Sequence, residues 1–201
     1  MENNVKCPIR VLGARIVVLE EKQEEKTLSG IIVPGREKEP TFMGIVVAVG
    51  EGAMLDNGQY IPVKVNIEEK IIYNNWSGSP INVDDKTFLV LNERDVLGVF
   101  QDNEECPIKP LGARILIVED KQEAKTSSGI IVPGREKEQT FRGTVVAVGE
   151  GLILDNGTLV PIRVNVGDKI VYNNWTGSPV SIKDNVYMFL GERDILAVLP
   201  E

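Results

Sequence analysis

The residue types that carry most enzyme chemistry are scarce in this chain of 201 residues. It has no histidine and two cysteines, Cys7 and Cys106. Histidine is the commonest general base and the commonest zinc ligand, so its absence excludes Ser-His and Cys-His catalysis. The cysteines occupy equivalent places in an internal repeat, which favours one small residue copied twice over a disulfide pair. We therefore predict a protein that is not an enzyme and holds no metal or cofactor.

Charge and hydropathy exclude two further classes of protein. Lys and Arg total 22 against 30 for Asp and Glu, a formal net charge of -8, which disfavours nucleic acid as a partner. No apolar run approaches the roughly 18 residues of a membrane helix, and residues 1–6 lack the pattern of a signal peptide. We expect a cytoplasmic protein that binds neither nucleic acid nor membrane.

One apolar tripeptide, Ile31-Ile32-Val33, lies within residues 20–41, which are otherwise polar, charged or turn-forming. Such a composition buries too little apolar surface to order itself, and it predicts a mobile loop. The tripeptide is then an exposed anchor that orders when it docks in a partner's apolar groove. The alternative is a short strand flanked by ordinary loops. The predicted partner-binding residues are Gly30, Ile31, Ile32 and Val33, with Gly129, Ile130, Ile131 and Val132 in a matching segment.

A second informative segment, residues 50–62, is built around an Asn-Gly pair. Such a pair supplies the positive φ angles of a tight hairpin turn, so we predict a projecting β-hairpin. The alternative is a hairpin with no task beyond connecting two strands. The predicted hairpin residues are Asp56, Asn57 and Gly58, with Asp155, Asn156 and Gly157 in a matching segment.

Short β-branched runs must position these two segments. Residues 15–19, 44–49, 70–73 and 87–91 are typical of strands, and Gly, Pro and Asn-Gly separate them. No segment sustains helical periodicity over three turns. The pattern predicts an all-β fold, most plausibly a small barrel, because closure removes exposed strand edges.

The whole pattern occurs twice at an offset of 99 residues. Cys7-Pro8-Ile9 recurs as Cys106-Pro107-Ile108, and residues 30–39 recur unchanged as residues 129–138. A period this long indicates two whole domains rather than stacked short repeats. We predict one domain in residues 1–100, a polar linker in residues 101–105 and a second domain in residues 106–201.

Six motifs in the second repeat follow one another in the order and spacing of a known family. They are PLGARI at residues 110–115, KTSSGIIV at 125–132, GTVVAVG at 143–149, DNG at 155–157, VNVGDKIV at 164–171 and ERDILAV at 192–198. Each repeat resembles the GroES-type chaperonin-10 co-chaperonins along nearly its whole length. The resemblance implies two tandem GroES-like β-barrels, each with a mobile loop and a roof β-hairpin.

The resemblance also implies a function and a partner. The two Ile-Ile-Val loops would insert between apical-domain helices of the ATP-bound chaperonin-60 (GroEL-type) ring. The barrels would form a lid over a chamber in which an unfolded substrate protein folds without partners to aggregate with. Family members form homo-oligomeric rings, usually of seven chains with one domain each. With two domains per chain, one domain goes unused, the ring has another size, or seven chains form two layers.

The chain departs from the family's pattern at a few positions. Ala14 and Ala113 stand where many relatives carry Asp before the arginine of the first strand. Trp76 and Trp175 also differ from the usual residues, and we predict buried, structural side chains there.

Two other classes of protein are alternatives to a co-chaperonin. Zinc alcohol dehydrogenases share a GroES-like barrel, but this chain lacks their Cys and His ligands and has no Gly-x-Gly-x-x-Gly element. A GroES-like structural or assembly protein, for example one encoded by a phage and without chaperonin binding, is the alternative that stays open.

Overall fold

The computed structural model describes residues 8–21, 41–55, 57–74, 76–84, 86–101, 106–120, 140–173, 176–182 and 185–200. Regular structure in these ranges consists of strands and two short 3-10 turns, Glu93–Asp95 and Glu192–Asp194. The all-β prediction is confirmed. A search of the same residues for a helix long and apolar enough to cross a membrane finds none.

Each repeat contributes the same succession of strands. In the first repeat they are β1 Arg15–Glu20, β2 Thr41–Val49, β3 Ala53–Met54, β4 Tyr60–Ile61, β5 Lys70–Asn74, β6 Ser79–Val83, β7 Lys86–Asn92 and β8 Val96–Phe100. In the second repeat they are β9 Ile108–Pro110, β10 Arg114–Glu119, β11 Thr140–Val148, β12 Leu152–Ile153, β13 Leu159–Val160, β14 Lys169–Asn173, β15 Ser178–Ile182, β16 Asn185–Gly191 and β17 Ile195–Leu199.

The strands form two main antiparallel sheets and two hairpins. The first sheet has the order β6-β7-β1-β2-β5-β8-β9, and the second has the order β15-β16-β10-β11-β14-β17. The pairs β3-β4 and β12-β13 stand apart from the sheets. Register shifts fall at equivalent places, at Val17/Val18 in the first sheet and Leu116/Ile117 in the second. Because bulges bend strands, both sheets curve in the same way.

Each curved sheet encloses its own apolar core. The alternation of strand residues directs one face inward, and burial stabilises each such side chain by about 1.5–3 kcal/mol. The first core contains Ile16, Val18, Val46, Val65, Ile71, Tyr73, Leu91, Val96, Val99 and Leu111. The second contains the equivalent Ile115, Ile117, Val145, Val164, Ile170, Tyr172 and Leu190.

The two repeats share a sheet and a third apolar cluster. Strand β9, which opens the second repeat, pairs with β8 of the first through Gly98↔Pro110, Val99↔Lys109 and Phe100↔Ile108. The third cluster joins Ile72 and Leu97 of the first repeat to Cys106, Ile108, Leu116, Val180, Tyr187 and Phe189 of the second. Burial of these side chains holds the repeats side by side. Residues 102–105 of the predicted linker lie outside the described residues, and the predicted domain bounds stay a prediction.

Candidate functional site

The predicted partner-binding residues lie outside the described residues, but their attachment points are well defined. Residues 22–40 connect β1 to β2, which are paired up to Glu20↔Gly44. The backbone N–H of Glu21 also donates to the carbonyl of Met43 at 3.1 Å. In the second repeat, residues 121–139 connect β10 to β11. The residues outside the described ranges are Gly30, Ile31, Ile32, Val33, Gly129, Ile130, Ile131 and Val132.

The two connecting segments leave their barrels at equivalent points. Glu119 pairs with Gly143, and the N–H of Asp120 donates to the carbonyl of Arg142 at 3.0 Å. Since the repeats are held side by side by one sheet, both segments begin and end at matched places on a single molecule.

The first predicted hairpin is present as β3 and β4, with the pairs Ala53↔Ile61 and Met54↔Tyr60. Asp56 lies outside the described residues. The N–H of Gly58 donates to the carbonyl of Leu55 at 2.9 Å, and the N–H of Gln59 donates to Asn57 Oδ1 at 2.9 Å. Side-chain capping by the asparagine therefore adds to the backbone turn.

The second hairpin, β12 and β13, repeats this geometry with all three predicted residues described. Gly157 N–H donates to Leu154 at 2.8 Å, and Thr158 N–H donates to Asn156 Oδ1 at 2.9 Å. Asp155, Asn156 and Gly157 are all exposed. Their role in a roof stays a prediction.

One detail of the hairpin prediction is wrong. Both glycines have positive φ, 81° at Gly58 and 83° at Gly157, but the described residues other than glycine with positive φ are Glu68 and Asp84. Asn57 and Asn156 are therefore not in the left-handed region, as a two-residue type I′ turn would require. A four-residue turn with a single left-handed glycine closes each hairpin instead.

The two candidate segments lie at opposite ends of one strand. Strand β2 begins at Thr41, next to the connecting segment, and ends at Val49, just before the hairpin. Nine residues at about 3.3 Å per residue separate the two segments by roughly 30 Å. A partner bound at the connecting segment would therefore lie far from the hairpin.

The hairpins of the two repeats contact each other. Asn57 Nδ2 donates to the carbonyl of Asn156 at 3.4 Å. A Cβ atom at Gly157 would lie 3.1 Å from Gln59 Oε1 and 3.4 Å from Leu55 Cδ1, both side-chain atoms of the first hairpin. The pair therefore forms one continuous projection rather than two separate ones.

Polar contacts across the junction between the repeats were not predicted from the sequence. Lys64 of the first repeat pairs with Glu150 of the second, which also pairs with Lys109 at 3.2 Å. The hydrogen bond from Lys64 is the main cause that lowers the pKa of Glu150. Thr41 Oγ1 donates to the carbonyl of Pro179 at 2.9 Å. The sequence did carry one signal for this charged cluster. The equivalent residues of the other repeat, Arg163, Glu51 and Arg10, have the same charges.

Arg114, in the opening-strand motif, helps to fix the same junction. Its Nη1 donates to the carbonyl of Leu111 at 3.3 Å, and its Nη2 donates to the carbonyl of Arg94 in the first repeat. Burial lowers the pKa of this guanidinium. The side chain thus satisfies a carbonyl from each repeat.

The prediction of a buried, structural tryptophan is wrong for Trp76, whose side chain is 71% exposed. Trp175 lies outside the described residues. Trp76 lies two residues after the end of β5 and three residues before the start of β6, outside both strands. The periodicity of strand residues could not reveal this exposure, because Trp76 lies outside a strand.

The described residues contain no group of three or more His, Cys, Asp or Glu side chains placed to hold a metal ion. Cys106 is buried and not in a disulfide, and its Sγ lies 3.2 Å from the carbonyl of Ile108. It packs in the cluster between the repeats.

Comparison with known proteins accounts for the duplicated architecture. The profile of the family described as Chaperonin 10 Kd subunit matches the chain twice, over residues 8–100 and 107–199. The 20 kDa chaperonin, chloroplastic, of Arabidopsis thaliana is 33% identical over 192 residues, which cover 95% of this chain and 76% of that protein. The protein of the same name from Spinacia oleracea is 32% identical, with 95% and 75% covered.

Relatives of single-domain length match half of the chain. The Co-chaperonin GroES of Coprothermobacter proteolyticus is 48% identical over 92 residues, which cover 46% of this chain and 94% of that protein. The predicted family, the tandem duplication and the GroES-like β-barrel fold are thereby confirmed. The chain belongs to the chaperonin 10 family, as a co-chaperonin with two tandem copies of the family's domain.

Proposed function

We propose that this co-chaperonin caps the ATP-bound ring of a chaperonin-60 through the Ile-Ile-Val tripeptides of its two connecting segments. The observation that carries the proposal is the matched attachment of these segments, from β1 to β2 and from β10 to β11, on two barrels held side by side. One chain thus presents two anchors to one face of a partner.

Two anchors on one chain serve a lid that must bind and later leave. A segment that orders on binding loses conformational entropy, so each contact is weak. Once one anchor is bound, the second binds as an intramolecular event at high effective concentration. Several weak contacts together supply affinity, and the loss of a few permits release.

The hairpins serve the other end of the lid. They project roughly 30 Å from the connecting segments, and the two hairpins touch through Asn57 and Asn156. Bound over a chaperonin ring, this end closes the chamber above an enclosed unfolded protein. The chain performs no chemistry itself, and ATP is consumed by the partner. It assembles with copies of itself into a ring, and we place it in the cytoplasm with its partner.

The first test is suppression of a chaperonin ring's ATPase by the added protein. We expect the wild type to slow ATP hydrolysis and the double variant Ile31→Ser, Ile130→Ser to have no effect. The single variants report whether one or both segments dock. Val186→Ser, an exposed apolar residue on β16, is the matched control and should act as wild type.

Unchanged circular dichroism must accompany the loss, so that the double variant is shown to be folded. Suppression by the double variant equal to that of wild type would overturn the role of the tripeptides. The absence of any wild-type effect on several chaperonin rings would favour the structural or assembly protein without chaperonin binding.

A further inference from the structure

The turns of the two hairpins contain the two Asn-Gly pairs of the chain, Asn57-Gly58 and Asn156-Gly157. Asparagine is a chemically labile residue, most of all before glycine, which has no side chain to shield its backbone nitrogen from the asparagine amide. Both pairs lie between the strands of their hairpins, and all four residues are exposed. Water therefore has access to both asparagine amides.

The two pairs have the same local sequence, so a difference in their reactivity must come from the folded structure. Residues 55–58 and residues 154–157 both read Leu-Asp-Asn-Gly. An unfolded chain would therefore expose two nearly identical sites, and the folded chain can be compared with it site by site.

Each turn makes the same two hydrogen bonds around its asparagine. The glycine N–H donates to a leucine carbonyl, at 2.9 Å in the first hairpin and at 2.8 Å in the second. The asparagine Oδ1 accepts from the N–H two residues further on, at 2.9 Å in both hairpins. Both bonds must open before the glycine nitrogen can reach the asparagine Cγ, so they slow the reaction at the two sites by similar amounts.

The side-chain nitrogen Nδ2 is what differs between the two asparagines. Asn57 Nδ2 donates to the carbonyl of Asn156 at 3.4 Å, so the amide of Asn57 is held at both of its ends. Asn156 Nδ2 has no hydrogen-bond partner among the residues that the structure describes. The Asn156 amide is thus released by the loss of one hydrogen bond, whereas the Asn57 amide must lose two.

We propose that Asn156 is a site of spontaneous deamidation and that it reacts faster than the equivalent Asn57. The backbone nitrogen of Gly157 bonds to Cγ of Asn156, and the bond from Cγ to Nδ2 breaks. The proton of the Gly157 nitrogen passes through solvent to Nδ2, which leaves as ammonia. Water then opens the resulting succinimide ring at either of its two carbonyls. One water is consumed and one ammonia is released, and the product is aspartate or isoaspartate.

The two products affect the hairpin differently. An aspartate keeps a side-chain oxygen in place of Asn156 Oδ1, and this oxygen still accepts from the N–H of Thr158. An isoaspartate carries the main chain through Cγ, which lengthens the turn by one carbon. The former carbonyl of residue 156, the acceptor for Asn57 Nδ2, becomes part of a side-chain carboxylate. Isoaspartate therefore disrupts both the turn and its contact with the first hairpin.

This modification belongs to the hairpin end of the molecule. Strand β11 separates it from the connecting segment of the second repeat by roughly 30 Å. The inference therefore does not rest on the proposed function, and either can fail without the other.

The experiment is incubation of the folded full-length protein in mildly alkaline buffer, with samples taken at intervals, digested and analysed by mass spectrometry. The two sites are followed separately, because Gln59-Tyr60 follows the first pair and Thr158-Leu159 follows the second. We expect Asn156 to deamidate about threefold or more faster than Asn57, the factor that corresponds to one hydrogen bond of modest strength. A sample digested without incubation corrects for deamidation during digestion.

The matched control is the same incubation in guanidinium chloride. In the unfolded chain the two sites should react at nearly equal rates, both faster than in the folded chain. A folded chain in which Asn57 reacts as fast as Asn156 would overturn the inference. The same holds if Asn156 of the folded chain stays intact over the time in which the unfolded chain reacts completely.

Hydrogen exchange of the backbone amides tests the effect of each product. The variant Asn156→Asp supplies the aspartate product alone, and its Thr158 N–H should exchange as in the fresh wild type. Aged protein that contains isoaspartate should exchange faster at Gly157 and Thr158. Equal exchange in aged and fresh protein would contradict the effect assigned to isoaspartate.

Discussion

Two buried tyrosine hydroxyls stand out at the scale of single residues. Tyr73 and Tyr172 occupy equivalent positions on β5 and β14, and their hydroxyls find no hydrogen-bond partner among the described residues. Burial, more than the neighbouring carboxylates, raises the pKa of Tyr172 to about 12, and it raises that of Tyr73 as well. Each hydroxyl loses its hydration without a matching gain.

Removal of these hydroxyls should not destabilise the protein. We expect Tyr73→Phe and Tyr172→Phe to leave the free energy of unfolding unchanged or to raise it by about 1 kcal/mol, since a buried unpaired polar group is removed. Urea denaturation measures this, with the exposed Tyr60→Phe as the control. A loss above about 1 kcal/mol in either variant would show that the hydroxyl is paired.

The Glu150 carboxylate makes the junction sensitive to acid. Its lowered pKa means that its ion pairs stabilise the folded chain above the ordinary value of 4.5, and that this stabilisation is lost as the pH falls through the lowered pKa. Glu150→Gln should therefore reduce stability at pH 7, by less than about 1 kcal/mol because the pair is partly exposed. Once the pH lies below the lowered pKa of Glu150, the two proteins should be nearly alike in stability.

The control for this pH comparison is Glu51→Gln, the same change in the first repeat. Among the described residues Glu51 takes part in no ion pair, so its replacement should have a smaller effect. Equal effects of the two changes would contradict the role given to Lys64.

At the scale of elements, strands were predictable and their partners were not. The β-branched runs at residues 15–19, 44–49, 70–73 and 87–91 correspond to β1, β2, β5 and β7. Strand β9 was not predicted, because residues 108–110 owe their strand conformation to the edge of β8. The equivalent residues of the first repeat are not in a strand, although their sequence is similar.

The glycines beside the hairpins show how close backbone approach constrains an element. Gly149 follows β11, and a Cβ there would overlap the carbonyl oxygen of Gly112 and lie 2.9 Å from that of Arg114. Gly58, at the hairpin turn, has φ of 81° but open space around it. Glycine is required at position 149 because a Cβ atom has no space there, and at position 58 because the backbone is in the left-handed region.

These two requirements predict that alanine at the two positions lowers the free energy of unfolding by different amounts. We expect Gly149→Ala to destabilise the protein by about 2–4 kcal/mol, since backbone must move to relieve the overlap. Gly58→Ala should cost about 1 kcal/mol, the strain of a left-handed alanine. Thermal or urea unfolding of both variants measures the difference, and a larger loss for Gly58→Ala would contradict this explanation.

At the scale of the whole molecule, the internal repeat made the two-domain architecture predictable from the sequence. Two matched sets of motifs predicted two domains of one family, and the comparisons confirmed that organisation. The contact between the domains was hidden, because Lys64 and Glu150 lie 86 residues apart and neither belongs to a motif. The Ile-Ile-Val tripeptides remain a prediction from the sequence, supported by the matched attachment of their segments.

The proposed binding segments and the contacts between the repeats occupy different parts of the molecule. The connecting segments and the hairpins lie at opposite ends of β2 and of β11. A change in the contacts between the repeats, such as Glu150→Gln, should therefore alter the stability of the chain, whereas a change in the tripeptides should alter partner binding alone. This separation lets each property be tested without the other.

The most direct test of the account is gel filtration of the protein with a purified chaperonin-60 ring, with and without ATP. Wild type should co-migrate with the ring when ATP is present and elute separately when it is absent. The variant Ile31→Ser, Ile130→Ser should elute separately in both conditions while it stays folded and assembled. Co-migration of this variant with the ATP-bound ring would contradict the central claim that the two tripeptides carry the binding.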